Sequence, residues 1–234
     1  MSTQTSHSLQ HIKAIAFDLD GTLVDSLPDL VAAANAMREH LGMEALHDQR
    51  IREHVGDGLA SLVHRAITDE RDTLAEHAQW EEGFSFFVQY YRQHLTTHTT
   101  IYPGVVTGLS LFKALNLPLV IATNKPERLT VPLLQELSLA DDFSLILGGD
   151  TLPEKKPSGL PLTHASQVLG IAPENLLMVG DSANDVSAAR AAGCPVAVVR
   201  YGYADAETLG ADHVVSDLTA LYDMIKPKPS DMLA

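Results

Sequence analysis

The chain has 234 residues, a formal net charge of −14 and a single cysteine, a length that allows one good core or a core with a small added module. The acidity argues against a nucleic-acid or anionic membrane partner, because either calls for a basic face. No apolar stretch approaches the roughly 20 residues of a membrane helix.

In chain order, Met1–His11 is polar and lacks the basic start and apolar stretch of a secretory signal. It reads as a disordered lead-in with His7 and His11 in solvent. Ile12–Phe17 is a buried strand that closes on Asp18-Leu19-Asp20-Gly21-Thr22-Leu23. Residues i and i+2 of a strand point to the same side. Two acids so placed repel unless a cation lies between them or one stays protonated. A solvated turn accounts for Asp20-Gly21, but not for both acids. Between Pro28 and about Thr100 no strand is expected. Val31–Leu41, Gln49–His54, Leu59–Ile67 and Glu76–Leu95 read as helices, interrupted by a flexible turn at Val55-Gly56-Asp57-Gly58. This block is expected to lie over the mouth of the sheet.

After Tyr102-Pro103-Gly104 the pattern alternates. Leu119–Ala122, Phe143–Leu147, Leu176–Val179 and Val196–Val199 read as strands, with helices over Glu127–Leu137, Leu160–Leu169 and Asn184–Ala192. Such alternation predicts a parallel sheet covered on both faces, with the ligand beyond the carboxyl ends of the strands. Cys194 reads as a small buried hydrophobe and fits a reducing cytosol. The tail after Lys226 reads as frayed.

The residues that carry chemistry cluster at strand ends. Asp18 and Asp20 follow the first strand and Thr123-Asn124-Lys125 the Leu119 strand. Gly180-Asp181-Ser182 follows the Leu176 strand, with Asp185 four residues beyond Asp181, and Glu154-Lys155-Lys156-Pro157 precedes a helix. Three carboxylates, Asp18, Asp181 and either Asp185 or Asp20, with no neighbouring His or Cys favour a hard cation such as Mg2+. Gly180-Asp181-Ser182 also reads as a helix cap, and the two readings agree, because helix N-termini attract phosphate. Thr123 and one lysine suit a phosphoryl group, although each alone also fits an ordinary strand end or a solvated loop. Gly21 lets backbone N–H groups approach an anion closely. Together the parts suit phosphoryl transfer. An aspartate attacks phosphorus and forms an aspartyl-phosphate. A second acid protonates the leaving oxygen and then activates water. Metal and lysine spread the charge of the transition state.

Asp18-Leu19-Asp20-Gly21-Thr22, Thr123-Asn124, Lys156-Pro157 and Gly180-Asp181-Ser182-x-x-Asp185 resemble, in order, the four motifs of the haloacid dehalogenase superfamily. The resemblance spans nearly the whole chain. It implies an α/β fold, a Rossmann-like parallel sheet with an α-helical C1 cap inserted after the first motif. The expected core is residues 1–28 and 100–234 and the expected cap 29–99. More narrowly, the chain resembles the bacterial phosphoglycolate phosphatases. The segments that carry this are Val24–Leu30, Val55–Gly58, Thr123–Pro126, Gly148–Asp150, Ala192–Pro195 and Tyr201–Tyr203. The resemblance implies Asp18 as nucleophile and Asp20 as general acid/base. It implies Mg2+ on Asp18, the Asp20 carbonyl and Asp181, supported by Asp185, and Thr123, Asn124 and Lys156 on the phosphoryl group. One departure is visible. The family continues Lys-Pro-x-Pro-x-Pro, whereas this chain has Gly159 within Lys156-Pro157-Ser158-Gly159-Leu160-Pro161, which puts the rigidity of the lysine loop in question.

Four alternatives remain at this level, the first a phosphatase of the same superfamily for another small phosphate ester. A dehalogenase lacks an acid at the position of Asp20. A hexose-phosphate mutase shares the four motifs, but its cap usually carries a basic signature not found here. A phospho-acceptor signalling module would lack a cap and would keep its acyl phosphate. The expected partner is a small phosphorylated substrate, with the chain as monomer or homodimer. Its selectivity should come from cap donors, for which Arg52, His54, the Gly56–Gly58 turn and Arg65 are candidates.

Overall fold

A computed structural model describes residues 9–227. Six strands form one parallel sheet: β1 (Ala14–Phe17), β4 (Leu119–Ala122), β5 (Leu145–Leu147), β6 (Leu176–Gly180), β7 (Val196–Val199) and β8 (His213–Val215), in spatial order β5-β4-β1-β6-β7-β8. The chain builds outward from β1 on one side, then returns and builds on the other. The reversal opens a crevice at the carboxyl ends of β1 and β6, the usual ligand site of such sheets.

The strands are apolar on both faces, and alternate residues serve different cores. Ile15, Phe17, Ile121, Leu177 and Val179 pack on one side with α5 (Val105–Ala114), α6 (Glu127–Glu136) and α9 (Leu218–Ile225). Ala14, Ala16, Val120, Ala122 and Met178 pack on the other with α7 (Leu160–Leu169) and α8 (Ala183–Ala192). Period-two alternation thus survives although every position of β1, β4, β6 and β7 is buried.

Four helices intervene between β1 and α5: α1 (Leu27–His40), α2 (Asp48–His54), α3 (Leu59–Thr68) and α4 (His77–Gln93). They pack mainly on one another. Their apolar interior, with Met37, Val63 and Phe87 among its members, joins the core on the β1 side. The chain leaves and returns through a two-stranded antiparallel ribbon, β2 (Val24–Asp25) paired with β3 (Thr100–Ile101). Asp29 closes the ribbon's far end. Its buried carboxylate accepts from the N–H groups of His98 and Thr99 and from the Thr99 hydroxyl at 2.7–3.0 Å.

Several boundaries differ from expectation. α1 begins at Leu27, so the expected limit at residue 28 falls inside its first turn. Proline is well placed there, where its missing N–H costs no helical bond. The ribbon, α5, β8 and α9 were not expected. Their strands are only two or three residues long, and α5 carries Gly108 and three β-branched residues. Leu9, within the expected disordered lead-in, is instead only 1% exposed and joins the core. His11 is exposed, as expected. Met1–Ser8, with His7, and the tail from residue 228 lie outside the described residues. No helix among the described residues is long and apolar enough to cross a membrane.

Candidate active site

The end of β1 is held by the sheet even after the strand stops: the Asp18 N–H donates to the Val179 carbonyl at 2.9 Å. The Asp18 carboxylate accepts from the Leu19 N–H at 2.8 Å and faces the Lys156 ammonium at 3.0 Å. Lys156 is 2% exposed. Its ammonium also donates to Asp185 at 2.6 Å. Asp185 stands in the first turn of α8 and closes a capping box with Ser182. One of its oxygens accepts from the Asp181 and Ser182 N–H groups and the Ser182 hydroxyl at 2.7–3.1 Å. Asp181 accepts from the Thr22 hydroxyl at 3.2 Å and from the Tyr203 N–H at 2.7 Å. A Cβ on Gly21, whose φ is +85°, would lie 2.3 Å from an Asp181 oxygen. Gly21 therefore makes room for a carboxylate.

Carboxylate oxygens of Asp18, Asp181 and Asp185 gather within 4.8 Å of one another. Burial pushes the Asp18 carboxyl up to about 6, with Lys156 pulling it down and Asp185 pushing it further up. Asp181 is raised well above the carboxylate range by burial, and next by Asp185 and Asp18. Burial also disfavours the Lys156 ammonium, yet Asp18 and Asp185 hold it above the usual lysine value. Buried acids that crowd one another are stabilised as anions by an added dication. An all-oxygen donor set is the kind magnesium takes, so the residues present fit it. Asp185 already accepts four hydrogen bonds, which leaves Asp18 and Asp181 the freer donors.

The Asp20 carboxylate accepts from the Ser26 hydroxyl at 2.5 Å and from the Lys125 ammonium at 2.9 and 3.0 Å. Asp18, Asp20, Thr123 and Asp181 line one side of a cavity of about 350 Å³; Arg52, the Gly56–Gly58 turn, Leu62 and Arg71 line the other. The carboxyl ends of the strands therefore face α2, α3 and their connecting turns.

Several expected binding residues are engaged by other groups of the protein. The Gly21 N–H donates to the Val24 carbonyl at 2.9 Å and is not presented to an anion. The Asn124 amide donates to the carbonyls of Gly56 and Lys156, both at 3.0 Å, so it ties the cap turn to the lysine loop. His54 is buried behind the wall with its Nε2 3.4 Å from Asp69, and Arg65 pairs with Asp57 at 2.6 Å. Neither lines the cavity. Arg52 does line it, while its guanidinium donates to the Gly202 and Tyr203 carbonyls at 2.9 and 3.3 Å. Gly159 packs against the end of α8, where a Cβ would lie 2.8 Å from the Ala192 nitrogen. The departure from the proline pattern thus fits a close contact between the lysine loop and α8. Arg71, Asn184 and the role of Lys125 were missed. Lys125 sits inside a motif, but its partner Asp20 lies 105 residues away, and spacing does not report such a pair.

The model of the haloacid dehalogenase-like hydrolases matches residues 15–199. The phosphoglycolate phosphatase of Chromobacterium violaceum is 68% identical over 219 residues, covering 94% of this chain and 99% of the relative. That of Neisseria gonorrhoeae is 52% identical over 227 residues, covering 94% and 96%. Among solved structures, a predicted phosphoglycolate phosphatase from Haemophilus somnus superimposes with a TM-score of 0.87 at 31% identity, covering 92% of this chain and 98% of that one.

Proposed function

The chain belongs to the haloacid dehalogenase-like hydrolase family, and from that premise we propose that it is a magnesium-dependent phosphatase that hydrolyses 2-phosphoglycolate. The observation that carries the reading is the floor of the cavity. A carboxylate, Asp18, lies 3.0 Å from a buried ammonium, Lys156, and a second acid, Asp20, opens on the same space. The extent and identity of the match to phosphoglycolate phosphatases support the substrate.

In this reading an Asp18 oxygen attacks phosphorus in line with the ester oxygen. The P–O bond to glycolate breaks as the Asp18–phosphorus bond forms, and Asp20 gives its proton to the departing oxygen. Water then attacks the aspartyl-phosphate, Asp20 takes the water's proton, and phosphate leaves with Asp18 restored. Lys156 steadies Asp18 and meets the phosphoryl charge, and Thr123 offers its hydroxyl. Asp18, Asp181 and the Asp20 carbonyl would hold magnesium, which neutralises charge on the phosphoryl oxygens when bound. Asp185 backs the site by fixing Lys156 and the Asp181–Ser182 turn.

Residues 29–99 act as the cap. The end of α3 at Gly58–Leu59 and the Arg52 guanidinium stand in the cavity wall opposite Asp18. A helix N-terminus and a guanidinium are both suited to a carboxylate, the group that distinguishes phosphoglycolate from a neutral ester. The test is a panel of small phosphate esters assayed with magnesium, including glucose 1-phosphate followed for isomerisation. The expected result is the highest kcat/KM for 2-phosphoglycolate and no isomerisation. A preference for sugar phosphates, or phosphoryl return to a second hydroxyl, refutes it.

A further inference from the structure

Phosphoryl transfer as described uses Lys156 and leaves the other buried lysine of the site, Lys125, without a task. Its side chain is fully buried, and a buried ammonium is strongly disfavoured unless its charge and donors are met. They are met in a specific way. The ammonium donates to the two Asp20 oxygens at 2.9 and 3.0 Å and to the Tyr91 hydroxyl at 2.6 Å.

Main chain and side chain of Lys125 answer to different parts of the molecule. The carbonyl accepts from the Gly149 N–H at 2.8 Å and the Thr130 hydroxyl at 3.2 Å, and the N–H donates to the Thr123 hydroxyl at 3.3 Å. Those partners belong to the sheet layer. Tyr91 belongs to α4 in the helical insertion, is buried, and packs beside Phe87 at 5.8 Å between ring centroids. A line of contacts therefore runs from α4 through Tyr91 and Lys125 to the carboxyl of Asp20, which opens on the cavity.

We propose that Lys125, itself held by the Tyr91 hydroxyl, is a positioning residue that sets the Asp20 carboxyl on the ester oxygen of the substrate. Two ammonium contacts and the Ser26 hydroxyl restrict that carboxyl to one orientation. A displacement of about 1 Å at a reacting group costs on the order of 100-fold. The cap thereby reaches the acid of the reaction as well as the substrate. This inference rests on the reading of Asp20 as the proton donor.

The test exploits leaving groups. An alkoxide needs a proton in order to leave, whereas p-nitrophenolate is stable enough to leave as the anion. The ratio of kcat/KM for an alkyl ester to that for p-nitrophenyl phosphate therefore reports how well Asp20 is placed. The alkyl ester is 2-phosphoglycolate, or whichever alkyl monoester the wild type prefers. Asp20→Asn is the reference and should lower the ratio at least about 100-fold. Tyr91→Phe, which removes one oxygen and keeps the ring, should lower it about 10-fold, and Lys125→Met at least about 10-fold, as expected for misplacement rather than loss of the acid. If Asp20→Asn lowers the ratio while Tyr91→Phe, or a folded Lys125→Met, reduces both esters equally or neither, the positioning role is overturned and the acid role stands. If Asp20→Asn leaves the ratio unchanged, the acid role and the inference both fall.

Discussion

The two walls of the cavity are built differently. On the sheet side, Asp18, Lys156, Asp181 and Asp185 are tied to one another and to backbone N–H groups at strand ends and at the start of α8. Their contacts are made within the layer that carries them. On the helical side, Arg52 reaches the Gly202 and Tyr203 carbonyls, and the Gly56–Asp57 turn accepts from Asn124, Lys155 and Asn184. Those contacts cross the cavity and must break if the helices move away. In the proposed reading the sheet side is fixed for a reaction common to every phosphate ester, and the helical side admits or refuses the rest of the molecule.

Substitution of the nucleophile or loss of the metal should therefore abolish turnover whatever the ester, whereas the effect of losing Asp20 should depend on the leaving group. Asp18→Asn is expected to lower kcat at least about 10⁴-fold, the scale of losing a nucleophile, with 2-phosphoglycolate and p-nitrophenyl phosphate alike. Chelation of magnesium should likewise abolish hydrolysis of p-nitrophenyl phosphate, and added magnesium should restore it. Full activity in chelator would remove the metal from the account. Asp20→Asn should lower kcat for 2-phosphoglycolate at least about 100-fold while magnesium still binds, as followed by calorimetry. Near-normal hydrolysis by that variant would take the acid/base role from Asp20.

How much of this was legible follows the same division. The first-motif strand, Thr123, Asp181 and Asp185 could be found because each stands where an apolar run stops or a helix starts, and those are local signals, whereas Lys156 was told from Lys155 only by the family resemblance. The structure brings Asp18, Lys156, Asp181 and Asp185 together. The helical side was harder. Arg52, His54 and Arg65 look alike as basic residues on helices, yet only Arg52 lines the cavity. The other two are turned by their partners Asp69 and Asp57. Which face a short polar helix presents depends on packing that no periodicity in α2 reports. The Asn124 amide shows a further limit. Its motif position was readable, but the two carbonyls that take its donors lie on distant loops.

Arg52→Ala sharpens the comparison, because Arg52 belongs to both walls. If it serves the substrate carboxylate, KM for 2-phosphoglycolate should rise about 10-fold, roughly 1.4 kcal/mol, with p-nitrophenyl phosphate nearly unaffected. If it serves instead to hold the Gly202–Tyr203 loop, both esters should suffer. The Tyr203 N–H holds Asp181 at 2.7 Å, and that damage would reach the proposed metal site.

Asn184→Ala should give the smallest effect. Its amide donates to the Asp57 carboxylate at 2.7 Å and the Gly56 carbonyl at 3.2 Å, and the residue is only half-buried. Asp57 keeps Arg65 as a buried partner at 2.6 Å, so the variant leaves no orphaned charge. A net hydrogen bond of this kind contributes about 1 kcal/mol, and only while the Gly56–Asp57 turn is docked. The expected outcome is a rise in KM of no more than about 5-fold with kcat within about 2-fold, because Asp18, Asp20 and Lys156 are untouched. A loss of kcat as large as that of a sheet-side variant would mean that docking of the turn assembles the catalytic groups. The two walls would then be one site with no division between chemistry and selection.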